Sequence, residues 1–175
     1  VGAVGARLLY ANTRVQHAGC VVGIQGAVAH AHPMLTRDDP GYFGRAILTQ
    51  DMSAVTGACL VTRRSCFEAV GGLDAEHLPI AYNDIDYCLK LRAQGYLIVY
   101  AAAAELFHHE SMSRGYDHVS EEKRQRQARE VALMRARWGG MLQDDPYYNP
   151  NLALDQPFMV AFPPRVQKPW REPSG

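Results

Sequence analysis

Two carboxylates, Asp84 and Asp86, stand two residues apart in the run Tyr82-Asn83-Asp84-Ile85-Asp86. They open a segment, Asp84 to Gln94, in which Ile85, Cys88 and Leu89 recur at helical spacing and Arg92 adds its aliphatic stem. Asn83 suits the cap of that helix, which puts Asp84 in its first turn, where the helix N-terminus favours negative charge. A carboxylate held at the mouth of a site can act as a general base, and the same placement also serves simply to complement the helix dipole. Asp86, two positions on, falls on a different side of the helix.

A second group is His108-His109-Glu110-Ser111, followed by Ser113 and Arg114. Adjacent imidazoles after a strand could put one ring on a metal and the other on a carbonyl or phosphate. The spacing is not HExxH, so a zinc-peptidase reading fails, and a solvated polar loop is the plainer alternative. The third group, His30, His32, Arg37, Asp38 and Asp39, lies in Gln25 to Gln50, which has no sustained period and reads as a long loop able to close over a ligand or merely to be solvated. The fourth is Gln50 to Ala58, where the small residues Thr56, Gly57 and Ala58 let a backbone approach a ligand, or another element, closely.

The elements that must position these groups alternate between strand and helix only in the middle of the chain. Val1 to Tyr10 predicts a strand, Asn12-Thr13 a turn, and Val15 to Ile24 a second strand, hairpin-paired with the first. Ala58 to Thr62 predicts a buried strand and Arg64 to Val70 a short helix stopped by Gly71-Gly72. After the Asp84 helix ends at Gly95, Tyr96 to Ala101 predicts another strand, and residues 105–117 a His-rich loop. Glu121 to Trp138 predicts a long helix closed by Gly139-Gly140, with Ala128, Val131, Ala132, Leu133 and Arg135 on its packed side. Beyond Asp144, prolines at 146, 150, 157, 163, 164, 169 and 173 predict an irregular tail. The fold class expected is α/β with a mixed sheet, in residues 1–143, followed by a Pro-rich tail in 144–175.

The 175 residues suffice for one core-bearing domain, and 47% apolar with 21% charged residues is ordinary for a globular protein. A formal net charge of zero gives no electrostatic case for nucleic acid as a partner. The longest apolar stretch, Tyr96 to Ala104, is far short of the ~20 residues that span a bilayer, so at most peripheral membrane association is expected. The four cysteines form no CxxC pair and read as buried reduced thiols, which suits a cytoplasmic location. The chain begins with Val and no signal peptide precedes its body, which reads as a cut inside a longer chain.

Taken in order, three stretches resemble the bacterial family 2 glycosyltransferases, including their rhamnosyltransferase-like members, over roughly Val1 to Arg165. T-G-A-C-L-V-T-R-R-S-C-F-E-A-V-G-G-L-D, residues 56–74, looks like the family's strand and helix ending in V-G-G-F-D. N-D-I-D-Y-C-L-K-L-R-A-Q-G-Y, residues 83–96, looks like its E-D-x-D-x-C-L-R-x-R-x-x-G-Y, with Asn83 in place of the usual Glu. H-H-E-S-M-S-R-G, residues 108–115, resembles the His-containing segment that follows.

The resemblance implies the acceptor-side, C-terminal part of a GT-A fold, with the nucleotide-binding half and its metal-holding D-x-D lying before Val1. Asp84-Ile85-Asp86 also spells D-x-D, but it opens a helix after a loop, whereas a metal-holding D-x-D follows an apolar strand. The implied activity is inverting transfer of a sugar from a nucleotide-sugar donor to a glycan or other hydroxyl acceptor, in cell-surface polysaccharide synthesis, with this portion inactive alone. Asp84 becomes the base that deprotonates the acceptor. His108 or His109 assists a Mg²⁺ or Mn²⁺ ion at the leaving diphosphate. Thr56, Gly57, Ala58, Asn83, Asp86 and Arg114 fall among the substrate-binding positions. Such a half-domain would expose sheet edges, and one alternative is a non-catalytic piece that binds acceptor glycan or self-associates as a homodimer. Another is a metal-binding module built on His30, His32, His108 and His109.

Overall fold

The computed structural model describes residues 1–109 and 120–166. Its elements run β1 (Ala3–Leu9), β2 (Val15–His17), β3 (Cys20–Val22), β4 (Val28–His30), β5 (Gln50–Met52), β6 (Leu60–Thr62), α1 (Arg64–Ala69), α2 (Asn83–Ala93), β7 (Ile98–Phe107) and α3 (Glu121–Gln143). This is α/β with a mixed sheet.

Strand β1 is the centre of the sheet. Its Gly- and Ala-rich sequence is buried nearly throughout. On one side it pairs in parallel with β7. On the other it pairs antiparallel with β6 along Ala3 to Gly5 and with β2 at Leu8 and Leu9. β5 adds to the far side of β7, giving the order β2-β1-β7-β5 with β6 beside β1. A separate hairpin, β3–β4, carries Cys20 opposite His30. The predicted β1–β2 hairpin is thus present, but the predicted second strand breaks at Ala18-Gly19 into β2 and β3, because Gly19 takes φ 87. A side chain at Gly19 would also meet Met52, its Cβ 2.5 Å from Met52 Cε.

Several expectations are corrected. The stretch predicted as one long loop holds β4 and two 3₁₀ turns, Ile24–Gly26 and Tyr42–Gly44. The strand predicted as buried at Ala58 to Thr62 starts at Leu60 and lies on the sheet edge, with Val61 68% exposed. Val1 to Val4 and Val61 to Arg63 line an open groove of about 410 Å³ there. β7 does not stop at Ala101: it runs to Phe107 through a bulge, so that Ala6 pairs with Ala101 and Arg7 with Glu105. Helix α3 does not close at Gly139-Gly140. It kinks at Trp138, φ −122, immediately before those glycines, and continues to Gln143. Its buried side chains are Glu130, Met134 and Leu142, whereas Ala128, Ala132 and Arg135 are exposed.

Helix α2 is buried on most of its circumference, with Ile85, Tyr87, Cys88, Leu89 and Leu91 all in the core beside Leu9, Val55, Ile98 and Tyr100. Each such large apolar side chain contributes about 1.5–3 kcal/mol on burial, which fixes the helix against the sheet. Tyr148 and Leu152 from the irregular segment after α3 join the same cluster. Asp145 ties that segment down: its carboxylate accepts from Val22 N at 3.0 Å and from Ser53 Oγ. Cys20, Cys66 and Cys88 are buried free thiols, and Cys59 is a partly buried one.

Candidate functional site

The first turn of α2 and the Thr56–Ala58 loop meet, although 27 residues separate them in sequence. Gly57 N donates to Asp84 Oδ2 at 2.7 Å, and Ile85 N donates to Asp84 Oδ1 at 2.8 Å. Two backbone donors thereby orient the carboxylate while each oxygen keeps a lone pair for a further donor. The approach needs a glycine: a Cβ on residue 57 would stand 3.1 Å from Asp84 Cβ. Thr56 caps the small 3₁₀ turn that follows, its Oγ1 accepting from Ala58 N at 3.3 Å. Gly57 and Ala58 are exposed and Asp84 is half-buried, so the carboxylate lies at a surface lined by small residues.

Asn83 is not the cap of α2. Tyr82 occupies that position with φ 64, in the left-handed region, and no side chain caps the helix. A bulky residue held there signals local strain that the surroundings must maintain. Glu130 of α3 does part of this, accepting from Ala81 N at 3.0 Å. Asp86 faces away from the surface. It is fully buried, accepts from Arg137 Nη1 at 2.7 Å and from Trp138 Nε1 at 2.9 Å, and lies 2.9 Å from Lys90 Nζ. Arg137 extends the knot to Asp74 at 2.9 Å. The Asp74 carboxyl is held well below the usual carboxylate range, chiefly by the His77 N–H, with Arg137 contributing.

His108 follows β7 and is half-buried. Its Nδ1 donates to Gln16 Oε1 at 2.8 Å, because an amide oxygen only accepts, and Nε2 therefore keeps its lone pair. His109 is exposed. Among the described residues neither is bonded to Asp84, and Arg114 lies outside the described residues.

The next residue of β2, His17, was not singled out by the sequence, and it connects to the loop that holds Asp84. Thr56 N donates to its Nε2 at 3.4 Å. On the ring's other side, His17 Nδ1 lies 2.8 Å from His30 Nδ1, and Cys20 Sγ lies 3.9 and 3.8 Å from the two nitrogens. Burial, and then His30, holds His17 well below the ordinary imidazole value, and burial pushes the Cys20 thiol up. The metal module suggested by His30, His32, His108 and His109 does not assemble. His30 joins His17 and Cys20, whereas His32 stacks on Phe158 with ring centroids 4.1 Å apart. The signal that could have found the cluster is the H-x₂-C spacing of His17 and Cys20, with a third ligand at His30.

No protein-family profile matches the chain, and no solved structure does. Among curated proteins it is 50% identical over 165 residues, 94% of its length, to the uncharacterized protein y4gI of Sinorhizobium fredii, of which it spans 18%. It is 39% identical over 157 residues, 88% of its length, to the O-antigen biosynthesis protein RfbC of Myxococcus xanthus, of which it spans 12%. Over 66 residues, 38% of its length, it is 39% identical to an N-acetylglucosaminyl-diphospho-decaprenol L-rhamnosyltransferase of Mycobacterium tuberculosis, of which it spans 21%. The chain thus corresponds to a small part of each of these proteins.

Proposed function

We propose that the chain is the acceptor-side portion of a glycosyltransferase of GT-A fold that builds cell-surface polysaccharide. The observation that carries this reading is the Asp84 carboxylate, held by Gly57 N–H at 2.7 Å on a surface of small residues at the start of α2. The names of the O-antigen and rhamnosyltransferase relatives support it.

In this reading Asp84 takes the proton of an acceptor hydroxyl as its oxygen attacks the anomeric carbon of a nucleotide-sugar. The bond from sugar to diphosphate breaks on the opposite face, with inversion. Thr56, Gly57 and Ala58 give the acceptor an approach free of bulk, and the Gly57 N–H aims the carboxylate before substrate arrives. A bound Mg²⁺ or Mn²⁺ would supply charge neutralisation at the leaving diphosphate. His108 would hold such an ion through Nε2, its Nδ1 being engaged by Gln16 as in a metal-ligating imidazole. The donor nucleotide and the other metal ligands are held by polypeptide beyond this chain. The relatives are several times its length, which accords with that division.

The test is sugar transfer by the complete polypeptide that contains this chain. UDP- and dTDP-sugars are offered with Mn²⁺, with and without polyprenyl-diphosphate-linked glycan acceptors. Acceptor-dependent release of nucleoside diphosphate supports the reading, and its absence for every pair overturns it. Calorimetry on this chain alone adds a second check. UDP and dTDP with Mn²⁺ should give no heat, whereas metal-dependent micromolar binding would place the donor site here instead.

A further inference from the structure

We propose that His17, Cys20 and His30 form a binding site for a zinc-class divalent cation, with His17 Nδ1, His30 Nδ1 and Cys20 Sγ as ligands. Three elements converge to build it. Cys20 and His30 are direct cross-strand partners in the β3–β4 hairpin. The chain turns at Gly19 so that His17, at the end of β2, comes back over the same point. Cys20 N donates to Ala54 O at 2.9 Å and Ala31 N to Gly19 O at 2.8 Å, so the backbone beneath the ligands is fixed from both sides.

The three ligand atoms all lie within 4.8 Å of one another. With bonds of about 2.0 Å to nitrogen and 2.3 Å to sulfur, a tetrahedral ion separates N from S by about 3.5–3.7 Å and N from N by about 3.3 Å. The N···S distances, 3.8 and 3.9 Å, are close to that geometry. The N···N distance of 2.8 Å is short by about half an ångström. The His17 ring is buried and the His30 side chain lies at the surface, so His30 supplies the movement. The two rings stand at 90° to each other, and one ion can meet both lone pairs.

Coordination through Nδ1 puts the His17 proton on Nε2 and gives up the bond from Thr56 N, which at 3.4 Å is weak. Cys20 loses its thiol proton to solvent as the metal–sulfur bond forms. The donor set, two imidazoles and a thiolate, selects a borderline-soft ion and discriminates against Mg²⁺, which takes oxygen ligands. The cluster is therefore distinct from any diphosphate-binding ion at His108.

Cobalt is the probe, because four-coordinate Co²⁺ absorbs strongly in the visible and shows a thiolate charge-transfer band in the near ultraviolet. Co²⁺ is titrated into the chain after chelator treatment. The expected result is one Co²⁺ per chain with both absorptions, displaced by Zn²⁺ and not by Mg²⁺. Cys20→Ser should abolish the charge-transfer band, and Cys59→Ser should leave it intact. His30→Ala should weaken binding by more than about tenfold, the scale already set by losing an outer partner of a metal ligand. Because His30 is exposed, that variant should keep its fold by circular dichroism, and an unchanged Co²⁺ affinity in it overturns the proposal even where Cys20→Ser does not fold. Absence of Co²⁺ binding, a spectrum without the thiolate band, or a band that survives Cys20→Ser overturns the proposal. None of these readouts involves turnover, so their failure leaves the glycosyl-transfer reading standing.

Discussion

The two ends of the first turn of α2 are built to opposite specifications. At Asp84 the partners are backbone N–H groups, the flanking residues are small, and the carboxylate lies at the surface. At Asp86, two residues on, the partners are Arg137, Trp138 and Lys90, and no part of the side chain reaches water. One carboxylate is aimed and left open to a further donor. The other is buried against Arg137, Trp138 and Lys90 and joins α2 to the kink of α3. The comparison teaches that a D-x-D spacing on a helix can divide its two acids between surface and core, because residues two apart project about 200° from each other.

The sharpest way to break this contrast is to remove one charge at a time and measure both activity and stability. Asp84→Asn, in the complete enzyme, should lower glycosyl transfer by about 10²–10⁴-fold, the usual contribution of a general base, while the unfolding free energy of the chain in urea falls by only about 1 kcal/mol, because the amide keeps one acceptor oxygen for the two N–H groups. Near-full turnover would remove Asp84 from the chemistry. Asp86→Asn should do the reverse. It leaves Arg137 and Lys90 without their shared anion and should lower unfolding free energy by about 3 kcal/mol, at the low end for a buried ion pair because both cations are partly solvated. An unchanged denaturation midpoint would show that the knot contributes no stability.

Gly57→Ala sharpens the comparison by disturbing geometry without touching charge. The added methyl carbon would stand 3.1 Å from Asp84 Cβ and 3.5 Å from its Oδ2, so the carboxylate must yield by a few tenths of an ångström. A displacement of about 1 Å can cost about a hundredfold in rate, so a loss of about tenfold in turnover is expected here. The cost in stability should be within about 1 kcal/mol, because residue 57 is exposed. A kcat equal to that of the unaltered enzyme would show that the Asp84–Gly57 contact does not set the reactive geometry.

What was legible in the sequence follows the range of the forces involved. Helices α1 and α2, strand β1 and the Gly71-Gly72 stop are written in local spacing, and the structure has them. The extent of β7 was not, because the alanines after Tyr100 carry no strand pattern and pairing with β1 imposes one. The end of α3 was not either, because burial of Leu142 outweighs the poor helix propensity of two glycines. At the site, Thr56 to Ala58 and Asp84 were separately conspicuous, but their contact spans 27 residues and has no local signal. His17, Cys20 and His30 were dispersed between a strand, a thiol read as core and a loop, and only the bend at Gly19 and the β3–β4 pairing bring them together.

The smallest effect belongs to the residue whose sequence assignment fails. Asn83 has the chemistry of a helix cap, and a true cap replaced by alanine costs about 1 kcal/mol. In the structure Tyr82 holds the cap position and the Asn83 side chain satisfies no helix N–H. Asn83→Ala should therefore shift unfolding free energy by no more than about 0.5 kcal/mol, the range of substitutions that break no specific contact. A loss near 1 kcal/mol in urea denaturation would restore Asn83 as the cap. It would also imply that Tyr82 leaves the left-handed region in solution, since the two residues cannot hold the same position. The measurement thus bears on Asp84 as well: moving the cap by one residue rotates the first turn of α2 and changes where its carboxylate points.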